Sequence, residues 1–156
     1  MDLINAFILL LHPVLATLLL VWIWWQYSWR RKSYELKGEQ RNEARSRHET
    51  MGERLLYSSF GVVAIAFMAR ATVAWRSGEP VISSLVPQSL HGFMGPVGLG
   101  LLYALARMGR KARDARMDGE KFSHHRIKHG RTADLIVVLV FIHAFLGFLY
   151  LFMVLE

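Results

Sequence analysis

The chain has 156 residues, of which 53% are hydrophobic and 20% charged, and its formal net charge is +7. Its mean hydropathy of +0.26 is high for a soluble domain of this size. The lack of cysteine excludes disulfides, Cys-ligated zinc, iron–sulfur clusters and covalently attached c-type haem, because each of these requires a thiol. Any cofactor must therefore be held by His, Met, carboxylate or amide groups.

Four windows of the sequence are nearly free of charge, namely residues 3–29, 55–75, 90–109 and 134–155. Each is about 20 residues or longer, the length that a helix needs to cross the hydrocarbon of a bilayer. The sequence therefore predicts an all-α integral membrane protein. We expect one domain over residues 1–156, built as a transmembrane bundle of four antiparallel helices with short connections.

The basic residues fall almost entirely between these windows. Residues 30–54 carry eight Lys and Arg and residues 107–131 carry nine, whereas the first 29 and the last 25 residues carry none. The positive-inside rule places both basic loops on the cytoplasmic side and both termini outside the cytoplasm. We expect a multi-pass protein of the cytoplasmic or thylakoid membrane. The same loops can touch anionic lipid headgroups, and topology explains their charge without nucleic acid.

The first window has no basic region before it and is too long for the apolar part of a signal peptide, so we expect it to be retained as a helix. Aromatic residues cluster where it meets the first basic loop, as they do at a headgroup interface. This clustering puts the cytoplasmic end of the helix near Trp25. The aromatic residues are Trp22, Trp24, Trp25, Tyr27 and Trp29.

Histidines are the main candidates for chemistry. His12 and His143 lie well inside apolar windows, where a polar side chain is costly and is a functional candidate by default. The alternative role for each is a hydrogen bond between helices, worth under about 1 kcal/mol. The seven histidines are His12, His48, His91, His124, His125, His129 and His143.

Two histidine pairs follow from the order of the helices. His12 on the first helix and His91 on the third lie toward the outside, whereas His48 before the second helix and His129 before the fourth lie toward the cytoplasm. Alternate helices face each other diagonally in a four-helix bundle, and a haem iron takes one axial imidazole from each side. In addition, His129 and His143 are 14 residues apart, which puts them on one helix face about 21 Å apart.

Arg70 lies deep in the second window, where an unpaired guanidinium is costly. We expect it either to meet a haem propionate or to extend toward the outer face of the membrane.

Several short motifs resemble an uncharacterised four-helix membrane family common in cyanobacteria, which is itself similar to cytochrome b561 and ferric-reductase-like haem proteins. The motifs are Leu11-His12-Pro13, Arg47-His48, Leu90-His91-Gly92 with Gly95, and His129 followed by Phe141 to Gly147. The resemblance implies a b-type dihaem core in which His12 and His91 ligate the outer haem and His48 and His129 the inner haem. His143 stands where that pattern carries Gln, so we expect it to contribute to the cofactor site without ligating iron.

We therefore expect a membrane cytochrome, with two b haems, that carries electrons across the membrane, exchanging them with quinone if it is a subunit of a larger complex. The alternative is a non-enzymatic accessory subunit of a respiratory or photosynthetic complex, whose histidines ligate chlorophyll magnesium or join helices. A lesser alternative is a metal site at His124, His125 and His129, which would resemble one histidine box of the membrane desaturases. No hydrolase or phosphate-binding motif is found in the sequence.

Overall fold

The computed structural model describes residues 2–155, and over that range the chain is helical, without a strand. Four helices are long and one is a single turn in the connection between the second and third long helices. The elements are α1 (Leu3–Glu35), α2 (Gly38–Arg76), α3 (Val81–Ser84), α4 (Leu90–Met117) and α5 (Ser123–Leu155).

The long helices continue far beyond the predicted windows, and the prediction of two basic loops at residues 30–54 and 107–131 is wrong. α2 has 39 residues and is therefore about 58 Å long, twice the hydrocarbon thickness of about 30 Å. Only residues 36–37 separate α1 from α2, and residues 118–122 separate α4 from α5. Glycines with positive φ, Gly38 at +52° and Gly119 at +74°, allow these tight reversals.

Two ion pairs join the basic segments of α2 and α4. Arg110 of α4 donates to both carboxylate oxygens of Glu53 of α2, at 2.9 and 2.8 Å. Glu49, one turn before Glu53 on α2, pairs with Arg116 of α4 at 2.7 Å. Glu, Arg, Lys and Ala also favour the helical conformation intrinsically. Charge composition marks where the apolar part of each helix ends, and the helix itself continues.

The four long helices pack in a ring. α1 packs against α2, α2 against α4, α4 against α5, and α5 against α1. The two remaining pairs, α1 with α4 and α2 with α5, stand on the diagonals. At the end that carries the chain termini, the Asp2 carboxylate caps α1 by accepting from the backbone N–H of Asn5 at 2.7 Å. The Arg76 Nε of α2 donates to the side-chain oxygen Oδ1 of Asn5 at 2.9 Å.

Membrane character is supported by length, composition and exposure. In the described part of the chain, three helices are long and apolar enough to cross a membrane: Leu3–Glu35, Gly38–Arg76 and Ser123–Met153. α4 is not among them, because glycines and the basic residues from Arg107 onward dilute its apolar stretch. Large apolar side chains such as Phe7 and Trp75 are exposed by more than 70%, whereas Leu55 and Leu56 are among the few that are buried. Such an excess of exposed apolar surface fits a lipid environment.

Candidate functional site

The first pair of imidazoles lies at the end of the bundle that carries the chain termini, and we call it the terminal-end pair. The His12 ring of α1 and the His91 ring of α4 face each other across the diagonal, with their centres 6.1 Å apart and their planes at 67°. His12 Nδ1 is 3.2 Å from the Val62 carbonyl of α2. His91 Nδ1 is 3.1 Å from the His143 carbonyl of α5. Each ring is thus held by a helix adjacent to its own.

The second pair lies among the basic segments, and we call it the basic-end pair. The His48 ring of α2 and the His129 ring of α5 are 6.3 Å apart between centres, with their planes at 89°. His129 Nδ1 is 3.1 Å from the Leu105 carbonyl of α4. His48 Nδ1 is buried and finds no hydrogen-bond partner among the residues that the structure describes. Trp29 stacks on the His48 ring with 5.5 Å between centres, so this tryptophan is part of the site.

The hydrogen bonds fix the protonation of three of these four rings. A carbonyl oxygen only accepts, so the Nδ1 of His12, of His91 and of His129 must carry the proton and donate it. In the neutral form of each ring, Nε2 is then the nitrogen that carries the lone pair. Metal-ligating histidines typically donate their other ring N–H to a carbonyl or carboxylate, which orients the imidazole and raises its basicity. The chain therefore presents imidazoles in the form that a metal ion binds.

The spacing of the rings matches axial ligation of one iron. With a metal–nitrogen bond of about 2.0 Å and about 1.1 Å from each nitrogen to its ring centre, two axial imidazoles have centres roughly 6.2 Å apart. The observed separations are 6.1 Å and 6.3 Å. The described residues contain no group of three or more His, Asp or Glu that could hold a metal ion. His124, His125 and His129 do not form such a group, and a haem iron needs only two protein ligands.

Two glycines make room for the imidazoles, a role that the sequence alone does not reveal. A Cβ at Gly147 of α5 would lie 2.5 Å from His91 Cε1 and 2.8 Å from His91 Nδ1. A Cβ at Gly109 of α4 would lie 3.3 Å from His129 Cε1. The signal that could have found them is spacing. Gly147 lies one turn after His143, whose carbonyl holds the His91 ring.

His143 packs directly against the terminal-end pair. Its ring stacks on His91 with 4.1 Å between centres and 14° between planes, and Tyr150 lies near His91 at 6.3 Å and 22°. Stacked imidazoles direct their nitrogens sideways rather than toward each other, so an iron atom does not fit between His91 and His143. His143 Nδ1 is buried and has no hydrogen-bond partner within residues 2–155.

Arg70 reaches the segment that precedes α4. Its Nη2 is 3.5 Å from the Val86 carbonyl, a long contact that leaves most of the guanidinium unengaged. This contact joins Arg70 to the connection between α3 and α4.

A cavity of about 230 Å³ opens beside the basic-end pair and includes both His48 and His129 in its wall. Gln26 of α1 also lines it, and its Nε2 donates to the His48 carbonyl at 2.7 Å. The rest of the wall combines apolar side chains of all four long helices with Glu49, Glu53 and a group of arginines. These arginines are Arg45, Arg110, Arg113, Arg116 and Arg126.

Comparison with known proteins adds no relative. No family model matches the chain, and neither the curated proteins nor the solved structures give a match.

Proposed function

We propose that this protein is a four-helix membrane cytochrome of the b type that holds two haems and carries electrons across the membrane. His12 and His91 would ligate one iron, and His48 and His129 the other. The observation that carries the proposal is the geometry of the two facing pairs, which have centre separations of 6.1 and 6.3 Å and, in three of the four rings, an Nδ1 engaged by a carbonyl. Both features are what axial imidazole ligands require.

The depth of the two sites suits transfer across a bilayer. On α2, 14 residues separate His48 from Val62, whose carbonyl holds His12, and on α5 the same number separates His129 from His143. At 1.5 Å per residue the sites are about 21 Å apart along the bundle, which is most of the hydrocarbon thickness. In this proposal α4 is the fourth transmembrane helix. The basic end lies in the cytoplasm and the chain termini lie outside.

The protein's own contribution is positional. Bound haem supplies one-electron exchange between ferric and ferrous iron. The backbone carbonyls of Val62, Leu105 and His143 hold the ligand rings, and the apolar side chains around them keep water away from the iron sites. Quinone in the bilayer is the electron-exchange partner that we propose, with the chain acting alone or as a subunit of a larger membrane complex.

Paired ligand variants test the proposal. His48→Ala and His129→Ala should remove the same haem absorbance component, and His12→Ala and His91→Ala should remove the other, so each variant retains one haem of two. His124→Ala is the matched control, because His124 is exposed and belongs to neither pair. If all four variants keep full haem content, the histidines join helices and do not bind iron. Extraction of chlorophyll in place of haem would support the accessory-subunit alternative.

A further inference from the structure

The two ligand helices of the basic-end pair share a short sequence pattern. Arg45 precedes His48 by three residues on α2, and Arg126 precedes His129 by three residues on α5. Three residues correspond to about 4.5 Å along a helix and to nearly the same helix face. Each imidazole therefore has an arginine close to one turn away, on the side that leads out of the bundle. The terminal-end pair lacks this pattern, because Leu9 and Gln88 occupy the corresponding positions.

Both arginines line the same cavity as the imidazoles. Within the described chain no carboxylate forms an ion pair with Arg45 or Arg126, whereas Arg110 and Arg116 on the same wall are neutralised by Glu53 and Glu49. The positive charges of Arg41, Arg116 and Arg126 also act on the Arg45 guanidinium, and only Glu49 opposes them.

Arg41 lies one turn before Arg45 on α2, further from His48. Its Nε is buried and finds no hydrogen-bond partner among residues 2–155. A partly buried guanidinium without a carboxylate partner is costly, and Arg45 is in this position, so an anionic group at this end of the cavity would be stabilised. Guanidinium groups are suited to carboxylates, which they bind through two parallel hydrogen bonds.

We infer that Arg45 and Arg126 bind the two propionate carboxylates of the haem held by His48 and His129, so that the propionate edge of the macrocycle faces the basic end of the bundle. This inference rests on the proposed function. His48 and His129 would hold the iron, and Arg45 and Arg126, which line the same cavity close to one turn away on each ligand helix, would bind the carboxylates. The two negative charges of the propionates offset the two arginines that lack carboxylate partners.

Titration of the haem-free protein in detergent tests the inference by absorbance. The protein is produced in haem-deficient cells, and His12→Ala confines binding to the basic-end pair. Protohaem and its dimethyl ester are compared, because the ester keeps the iron and the macrocycle and lacks both carboxylate charges. We expect the ester to bind at least about 10-fold more weakly than protohaem, as the loss of charge-assisted hydrogen bonds predicts. Adding Arg45→Gln and Arg126→Gln should weaken protohaem by a similar factor and leave the ester unchanged.

Ester binding by the double arginine variant shows that the variant is folded. The matched control is Arg47→Gln with Lys128→Gln, which removes two exposed charges next to the same histidines without touching the cavity wall. This control should keep the preference for protohaem. Equal binding of protohaem and ester by the protein with both arginines intact would overturn the inference and leave the cytochrome proposal standing. The inference would also be overturned if the control variant weakened protohaem binding as much as the double variant of Arg45 and Arg126 does. Net charge, and not the two arginines, would then hold the propionates. Failure of both porphyrins to bind would reject the cytochrome proposal and the inference together.

Discussion

Gly147 offers a sharp test of how the terminal-end pair is held. In Gly147→Ala the new Cβ would lie 2.5 Å from His91 Cε1, whereas ordinary contacts begin near 3.4 Å, so the ring must move by about 1 Å. The same atom would lie 2.8 Å from Nδ1, the nitrogen that donates to the His143 carbonyl. The substitution therefore displaces the imidazole from its position opposite His12.

The expected effect on stability is small, and the effect on haem content is large. Overpacking costs about 1–3 kcal/mol, and replacing a helical glycine by alanine returns about 0.5–1 kcal/mol. The variant should therefore fold, lose the terminal-end haem and keep the other. Haem per chain, measured by the pyridine haemochrome method, should fall from two to one.

Gly130→Ala is the matched control on the same helix, because a Cβ there would meet no described atom within 4 Å. It should retain both haems. If Gly147→Ala also keeps both haems with an unchanged spectrum, then His91 is not an axial ligand in the position that the structure gives it.

Three further predictions concern the basic-end pair, His143 and the membrane topology. Gly109→Ala places a Cβ 3.3 Å from His129 Cε1, a milder conflict than the one at Gly147. We therefore expect both haems to remain and only the spectrum or potential of the basic-end haem to shift, and loss of that haem would contradict this expectation. His143→Gln should retain both haems with at most a shifted midpoint potential, because the His143 ring stacks on His91 and is not opposite it. His12→Gln should lose the terminal-end haem, and the opposite pattern in the two variants would make His143 the ligand. Since the chain has no cysteine, single cysteines introduced at Glu43, Asp118 and Glu79 can be tested in intact cells with a membrane-impermeant thiol reagent. Only Glu79→Cys should react, and labelling of Glu43→Cys would show that the orientation is the reverse of the one proposed.

Much of the helical architecture follows from the sequence, because apolar windows of membrane-spanning length are a strong signal. The all-helical fold is confirmed, and so is the presence of long apolar helices, three of which meet the length and composition expected of a membrane span. The boundaries could not be predicted, because the windows report where charge begins and not where helical hydrogen bonding ends. Residues 38–54 show the difference. Glu49 and Glu53 in this segment pair with arginines of α4, and this contact is visible only when both helices are in place.

For the candidate site as well, part follows from the sequence and part depends on contacts that only the structure shows. Pairing His12 with His91 and His48 with His129 follows from helix order and depth, and the structure brings both pairs of rings together. Whether they bind haem stays a prediction. The roles of Gly147 and Gly109 depend on contacts within about 3 Å that sequence spacing alone does not define. The stacking of Trp29 on His48 likewise depends on the packing of α1 against α2, which the sequence does not show.

The central claim is that one chain holds two b haems, each between two imidazoles. Its most direct test is the reduced-minus-oxidised absorbance spectrum of the purified protein, combined with haem quantification by the pyridine haemochrome method on the same sample. The account predicts b-type difference bands and two haems per chain. A purified, folded protein with no haem difference spectrum would contradict the account and leave the four histidines as groups that join helices.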